Sequence, residues 1–332
     1  MSQNNLTLTP LFLLILTLFT TLLTAAPADY YVAGVDQTPN AVHVYPRNKP
    51  WTSPNLHWSF TAGTRNKGWI NLSDVKFRRT ASHGWIALVC ASGGNAGIVN
   101  VSKNKLKTDL SDVLWTGSPG ANPHAIERIP HLGAVVVASS NPGKLTVYYP
   151  RDADEVNDYK NLERSEVKYE APGAHGVLWD PNGGSGSEGV EKGLLWVSLD
   201  KGMHKYRITG RGKDIKLVRE GEMIRFPGKA GLGHDLQPDY TDGDVLLTTD
   251  SYGAYAYKVS SGEWKTVREG KAIKSFVREK GGEYLWVTQS GKKGWVSPWV
   301  RFGMEAGAKA SERKGGGKRG FYKARVFEVD FE

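Results

Sequence analysis

The chain has 332 residues, a formal net charge of +9, 39 glycines, 11 tryptophans and a single cysteine. One cysteine excludes an intramolecular disulfide, and the length is sufficient for one large domain with a substantial core. Many glycines and tryptophans favour strands joined by tight turns.

The N-terminal segment is apolar and uncharged. Residues 11–23 contain no charged side chain and are followed by Ala25-Ala26-Pro27-Ala28. This pattern predicts a secretory signal peptide over residues 1–26 and therefore a secreted, extracellular protein. No Lys or Arg precedes the apolar part, so an uncleaved anchor stays an alternative, although a span takes about 20 residues.

The positive charge lies entirely after this segment, because residues 1–26 contain no charged side chain. A basic exported protein meets acidic polysaccharides, so we expect an acidic plant glycan as partner, with no nucleic acid, no membrane and a monomeric state. Part of the charge lies in residues 308–320, a basic, glycine-rich run that we expect to be a solvated loop.

Short stretches rich in Val, Thr, Tyr and Trp follow one another from residue 31 onwards and are separated by turn-forming residues. Such stretches are typical of strands, and no helical periodicity competes with them. The predicted strands are residues 31–35, 41–45, 56–60, 75–79, 85–91, 98–101, 113–116, 125–129, 134–138, 145–149, 167–169, 177–179, 194–199, 204–208, 216–226, 236 with its neighbours, 245–249, 255–259, 264–267, 273–278, 284–288, 295–304 and 321–331.

A histidine lies one or two residues before three of these strands, namely His124, His175 and His234. Asp74 and Lys274 take the corresponding places in two further segments, so the marker positions are 74, 124, 175, 234 and 274. A repeat of about 50 residues with four strands is typical of a propeller blade. We therefore predict an all-β fold, a single β-propeller over residues 29–332 with six or seven four-stranded blades. Pairing of its N- and C-terminal strands is expected to close it.

In a propeller, the first strand of each blade lies innermost, next to the central channel. The starts of these innermost strands should lie at the same mouth of the channel, beside the loops that leave the second strand of each blade. Function is commonly built from such loops at one end of a rigid scaffold. The candidate catalytic residues are His124, His175, His234 and Tyr252. The candidate substrate-binding residues are Lys274, Asp74, Asn141, Asp250 and Gln289.

Structural roles remain open for these residues. Each histidine could hydrogen-bond the backbone of a neighbouring blade, and Asp250 could cap a tight turn. Trp179, Trp196 and Trp286 lie within strands and are expected in the core.

No local metal-binding motif accompanies the histidines, so zinc would depend on their convergence alone. Calcium held by aspartates and carbonyls in the central channel is an equal alternative. We therefore assign no metal site and no certain cofactor.

The motifs Asn122-Pro123-His124-Ala125-Ile126-Glu127, Ala174-His175-Gly176-Val177-Leu178-Trp179-Asp180, Gly233-His234-Asp235-Leu236 and Phe321-Tyr322-Lys323-Ala324-Arg325 together resemble a known group of proteins. It comprises exported fungal β-propellers that include the L-rhamnose-α-1,4-D-glucuronate lyases and related propellers acting on rhamnose-capped arabinogalactan. The resemblance implies seven blades and a pocket for the rhamnosyl-glucuronate end of a side chain. It also implies chemistry carried by histidine, tyrosine and arginine, and it carries over to His124.

The available residues suit β-elimination from a uronate. The reaction needs a cation at the carboxylate, a base for the C5 proton and an acid for the departing oxygen. His124 is the expected base or acid. His175 and His234 are carboxylate partners or the second acid/base, Lys274 neutralises charge, and Tyr252 is an alternative proton donor.

Three other functions compete with the lyase. A lectin-like propeller would bind acidic glycans without forming an unsaturated product. An α-L-rhamnosidase-type hydrolase would favour a carboxylate pair. A protein-interaction scaffold would expose an apolar patch.

Overall fold

Alternating apolar and polar residues, interrupted by glycine turns, form a structure made of strands in the computed structural model. It describes residues 29–102, 104–120, 122–184, 193–229, 231–290 and 294–328. The predicted signal peptide lies outside these residues, as does the end of the predicted strand 321–331. No helix in the described part is long and apolar enough to cross a membrane.

The strands are short, mostly three to nine residues. In chain order they are β1 (Tyr31–Asp36), β2 (Ala41–Pro46), β3 (Trp58–Thr61), β4 (Leu72–Thr80), β5 (Gly84–Ala91), β6 (Ala96–Asn100), β7 (Lys107–Asp109), β8 (Val113–Gly117), β9 (Pro123–Ile129), β10 (Ala134–Ser139), β11 (Lys144–Pro150), β12 (Leu162–Arg164), β13 (Tyr169–Glu170), β14 (Gly176–Asp180), β15 (Leu194–Leu199), β16 (Gly202–Thr209), β17 (Lys216–Arg225), β18 (Asp235–Asp239), β19 (Asp242–Thr249), β20 (Gly253–Lys258), β21 (Glu263–Glu269), β22 (Ile273–Arg278), β23 (Tyr284–Thr288), β24 (Trp299–Gly303), β25 (Glu312–Gly315) and β26 (Phe321–Val326). The helices described are short 3₁₀ turns at Ser53–Asn55, Lys67–Trp69, Leu110–Asp112, Pro130–Leu132 and Gly212–Asp214.

Hydrogen bonding groups the strands into several mainly antiparallel sheets. Their orders are β26-β1-β2-β3-β7, β4-β5-β6-β8, β9-β10-β11-β12 with β13 also on β11, β14-β15-β16-β17, and an eight-stranded sheet β21-β20-β19-β18-β22-β23-β24-β25. The eight-stranded sheet has two four-stranded halves that meet at one parallel pair, Asp239 and Arg278. The fold is therefore all-β, with the meandering four-strand groups that the sequence predicts.

One strand of each group packs against its counterpart in the next group. The series runs β26, β4, β9, β14, β18 and β22, and β22 packs in turn against β26. The histidine segments belong to three members of this series, namely β9, β14 and β18.

The N- and C-terminal parts of the described chain meet in one sheet, because β1 pairs antiparallel with β26. Gly34 lies opposite Ala324 in this pair, and a Cβ at Gly34 would stand 2.6 Å from the ring of Phe321. Glycine is therefore needed for the Phe321 ring to pack against β1.

Apolar clusters between the sheets form the core. Trp179, Trp196 and Trp286 are all buried, as predicted.

The segment 308–320 differs from the predicted solvated loop. Glu312–Gly315 forms β25 and pairs with β24, and Arg319 contacts Asp36, His43 and Tyr45. Some basic side chains of this run therefore make specific contacts, as Arg319 does. The glycine content on which the prediction of a solvated loop depended does not reveal such contacts.

Candidate active site

A cavity of about 480 Å³ opens where the strands of the cyclic series begin. We call it the histidine cavity. Its lining residues are Gln37, Asn71, Ser92, Asn122, His124, His175, Leu232, His234, Lys274, Trp295 and Tyr322. None of these described lining residues is a carboxylate.

The three histidines converge because each stands at the start of a strand in the series. His124 is the second residue of β9, whereas His175 and His234 immediately precede β14 and β18. The ring centroids of His124 and His175 are 4.5 Å apart, and those of His175 and His234 are 5.6 Å apart. Residues separated by more than 100 positions thus share one site.

Backbone carbonyls fix the tautomers of two of these rings. Nδ1 of His124 lies 2.9 Å from the Asn122 carbonyl oxygen, and Nδ1 of His175 lies 2.7 Å from that of Gly173. A carbonyl oxygen only accepts, so each Nδ1 must carry the proton and donate it. Each Nε2 then has a free lone pair, which is what a general base requires.

His234 has a different partner. Its Nε2 lies 3.3 Å from Nζ of Lys274, while its Nδ1 is buried and has no hydrogen-bond partner. The Lys274 ammonium donates to this imidazole, so a cation stands in the cavity wall beside three neutral rings.

Buried charges lie next to the histidine cavity. Arg325 contacts Asp74 at 2.6 Å and Asp235 at 2.7 Å. The ammonium of Lys323 donates to the carbonyl oxygens of His124 at 3.0 Å and of His175 at 3.3 Å. The arginine and the lysine together balance the two carboxylates, so the carboxylates do not neutralise Lys274.

Burial and nearby cations keep the cavity's bases uncharged. Burial, opposed in part by the Asn122 carbonyl and reinforced by Lys323, lowers the pKa of His124 to about 3. The pKa values of His175 and His234 lie well below the usual value for the same first cause, burial. Burial and then Lys323 lower the pKa of Lys274 to about 8. At neutral pH the unliganded site therefore contains three neutral imidazoles and one ammonium.

The structure places four of the predicted residues in the cavity, namely His124, His175, His234 and Lys274. Tyr252 is outside the cavity lining: it lines a neighbouring cleft, where Lys229 lies 5.3 Å from its ring centroid. Its predicted role as a proton donor beside the histidines is not supported.

The expected substrate-binding roles of Asp74, Asp250, Asn141 and Gln289 need correction, because none of the four lines the cavity. Asp74 is fully buried against Arg325. Asp250 caps its own turn by accepting from the backbone of Tyr252 and Gly253, the alternative left open above.

Asn141 and Gln289 belong to turns after strands. Asn141 is exposed in the turn between β10 and β11, and Gln289 donates its backbone N–H to the Ala272 carbonyl. Position after a strand was therefore insufficient to place either side chain in the cavity.

Seven of the lining residues were not among the predicted site residues, and Tyr322, Gln37 and Trp295 are three of them. Tyr322 is the second residue of β26, and its ring centroid lies 5.7 Å from that of His124. It starts its strand as the histidines start theirs, which was a usable signal. Gln37 and Trp295 come from loops without a repeat signature.

The described residues contain no group of three or more His, Cys, Asp or Glu that could hold a metal ion. The two aspartates buried beside the cavity, Asp74 and Asp235, are engaged by Arg325 and Lys323. The calcium considered for the central channel would have to displace these cations, so the donor set does not fit it.

A family model described as a family of unknown function (DUF6528) matches residues 24–297. The chain belongs to this family. The match includes His124, His175, His234 and Lys274. No curated protein has a matching sequence.

The solved structures that are similar in fold include the following two. A functionally unknown protein from Desulfotomaculum acetoxidans has 11% identity and a TM-score of 0.51, over 90% of this chain and 80% of that one. The periplasmic gluconolactonase PpgL of Pseudomonas aeruginosa has 14% identity and a TM-score of 0.53, over 87% of this chain and 81% of that one. At these identities the likeness is one of fold, and it supports a propeller-type architecture.

Proposed function

We propose that the histidine cavity binds a uronate-containing glycan and cleaves it by β-elimination, which makes the protein a polysaccharide lyase. The observation that carries the proposal is the pairing of neutral imidazoles with the Lys274 ammonium in a cavity whose described lining has no carboxylate. Because the Lys274 ammonium lies in this wall and the two carboxylates buried beside the cavity are already paired with Arg325 and Lys323, an anionic sugar is favoured over a neutral one.

The roles follow from the geometry. Lys274 would neutralise the uronate carboxylate and make the C5 proton more acidic. Nε2 of His124 or His175 would remove that proton, because both atoms have free lone pairs. The electron pair forms the C4–C5 double bond as the C4–O bond breaks, and the departing oxygen takes a proton.

Tyr322 is the proton donor that we propose for the departing oxygen. Burial, then Asp235 and Asp74, raise the pKa of Tyr322 above its usual value, so the phenol keeps its proton. It lies in the cavity wall beside His124, where Tyr252 does not.

A base with a pKa of about 3 is weak, but binding of the substrate raises that pKa. A bound carboxylate places a negative charge in the cavity and favours the imidazolium, which raises the histidine pKa. The charge that develops on the carboxylate during elimination acts in the same direction. Proton removal is thereby linked to the presence of an acidic substrate.

The scaffold that we infer is a closed propeller of six four-stranded blades. The cycle of β26, β4, β9, β14, β18 and β22, with β1 pairing β26, supports it. This count is one fewer than the seven implied by the lyase resemblance. Export through the segment 1–26 is part of the same proposal.

The proposed linkage is the terminal rhamnosyl-glucuronate of arabinogalactan-type glycans, because the motifs around His124, His175 and His234 resemble lyases with that substrate. The test is incubation of the protein with gum arabic while ultraviolet absorbance and free rhamnose are both followed. We expect the two to rise together. Rhamnose without absorbance would indicate a hydrolase, and binding without either product a lectin.

A further inference from the structure

The histidine cavity has an exposed aromatic side chain on its wall. Trp295 is 56% exposed, the most of any aromatic residue among the exposed large apolar side chains of the described chain. Single exposed apolar residues are common and carry no meaning alone. Leu232, which is 51% exposed, lines the same cavity, so two of these exposed apolar side chains belong to one site.

Hydrogen bonds hold the indole of Trp295 in place despite its exposure. Its Nε1–H donates to Oε1 of Gln37 at 2.8 Å, and Nε2 of Gln37 donates to the Leu72 carbonyl at 2.9 Å. The backbone N–H of Gln37 donates to the Gly320 carbonyl at 2.8 Å. Gln37 is thus fixed at both ends, and it fixes the indole.

The chain that follows Trp295 is also anchored. Val296 accepts a backbone hydrogen bond from Ser290 at 3.1 Å, and Ser297 exchanges backbone hydrogen bonds with Phe321. An exposed ring that is held in one orientation loses little freedom when a ligand covers it. This arrangement suits a recognition surface better than a solvated loop residue.

We propose that Trp295, in the cavity that Leu232 also lines, forms a second subsite that stacks against a neutral sugar ring joined to the acidic one. The inference rests on the proposed function, which places the acidic unit at Lys274 and the histidines. The C–H face of a sugar is apolar and its hydroxyl edge is polar, so an indole wall beside a polar cavity matches it. The site would therefore require at least an acidic disaccharide for full affinity.

The test compares two ligands, free glucuronate and a disaccharide of glucuronate with a neutral sugar, by titration calorimetry. His124→Ala serves as the background so that turnover does not disturb the measurement. We expect Trp295→Ala to weaken disaccharide binding by about three- to tenfold and to leave glucuronate binding unchanged. Trp295→Phe should retain most of the affinity.

Two further variants sharpen the comparison. Gln37→Leu keeps the indole but removes its acceptor, and should cause a smaller loss for the disaccharide. Met304→Ala is the matched control, because Met304 is 63% exposed and does not line the cavity.

The outcomes separate this inference from the proposed function. Unchanged disaccharide affinity in Trp295→Ala, or an equal loss for both ligands, would overturn the neutral-sugar subsite alone. If the His124→Ala protein with Trp295 intact and the wild type bind neither ligand, the acidic-sugar function fails and the subsite fails with it.

Discussion

Raising the pH should switch off binding of an acidic substrate through Lys274. Burial and Lys323 lower the pKa of Lys274 to about 8, so its positive charge is present below that pH and is lost above it. From pH 7 to pH 9 the charged fraction falls from about nine-tenths to about one-tenth. If the ammonium is required to hold the carboxylate, kcat/KM falls about tenfold over this interval.

The assay is the pH dependence of kcat/KM, which reports the titration of the free enzyme. Lys274→Arg keeps the cation charged throughout, because a guanidinium does not titrate in this range. The alkaline decline should therefore disappear in this variant, even where its absolute rate is lower. Lys271→Arg is the matched control, since Lys271 is exposed and outside the cavity, and it should leave the decline in place.

The acid side of the pH profile provides an internal check. With the pKa of His124 near 3, the unliganded base stays neutral, so kcat/KM should not fall between pH 7 and pH 5. A flat profile from pH 7 to pH 9, or the same decline in Lys274→Arg, would refute the role given to Lys274.

Three substitutions test the rest of the site. His124→Ala should lower kcat by about 10²- to 10⁴-fold, whereas alanine at His83, which is half-buried and outside the cavity lining, should have no effect; equal rates in both variants would exclude His124 as the base. Tyr322→Phe should lower kcat more than it changes KM, since the lost proton transfer belongs to the transition state, and an unchanged kcat would remove Tyr322 as the donor. Arg325→Met should cost about 3–5 kcal/mol and lower Tm by about 5–15 °C, because it leaves two buried carboxylates that share the single charge of the more distant Lys323. Arg151→Met, in an exposed ion pair, should change Tm little, and similar shifts for the two variants in calorimetry would contradict this reasoning.

The convergence of the histidines could be predicted from sequence because each one lies at the same place in a repeated strand pattern. His124, His175 and His234 occupy equivalent places at the starts of β9, β14 and β18, and a propeller-type fold brings such places together. Lys274 followed from the same repeat. No knowledge of loop conformation was needed.

The prediction that Asp74 corresponds to the histidines was wrong by one residue in the strand. The register of β4 is irregular between Leu72 and Asp74, as that of β9 is on either side of His124, so the counterpart of His124 in β4 is Ser73. Successive side chains of a strand point to opposite faces, so this shift moves Asp74 from the cavity to the buried charges beside it. The spacing of about 50 residues is too imprecise to resolve a single position.

Trp295 and Gln37 could not be predicted, because their placement depends on contacts between distant loops. The hydrogen bond between them joins residues separated by 258 positions. Asn141 and Gln289 show the converse case, in which a suitable place after a strand does not bring a side chain into the cavity.

The central claim is that this cavity eliminates rather than hydrolyses or only binds. The most direct measurement is proton NMR of the products formed from gum arabic by the intact protein. The account predicts a vinylic proton at C4 of the uronate and loss of the C5 proton signal. A saturated glucuronate that retains its C5 proton, formed together with free rhamnose, would contradict it.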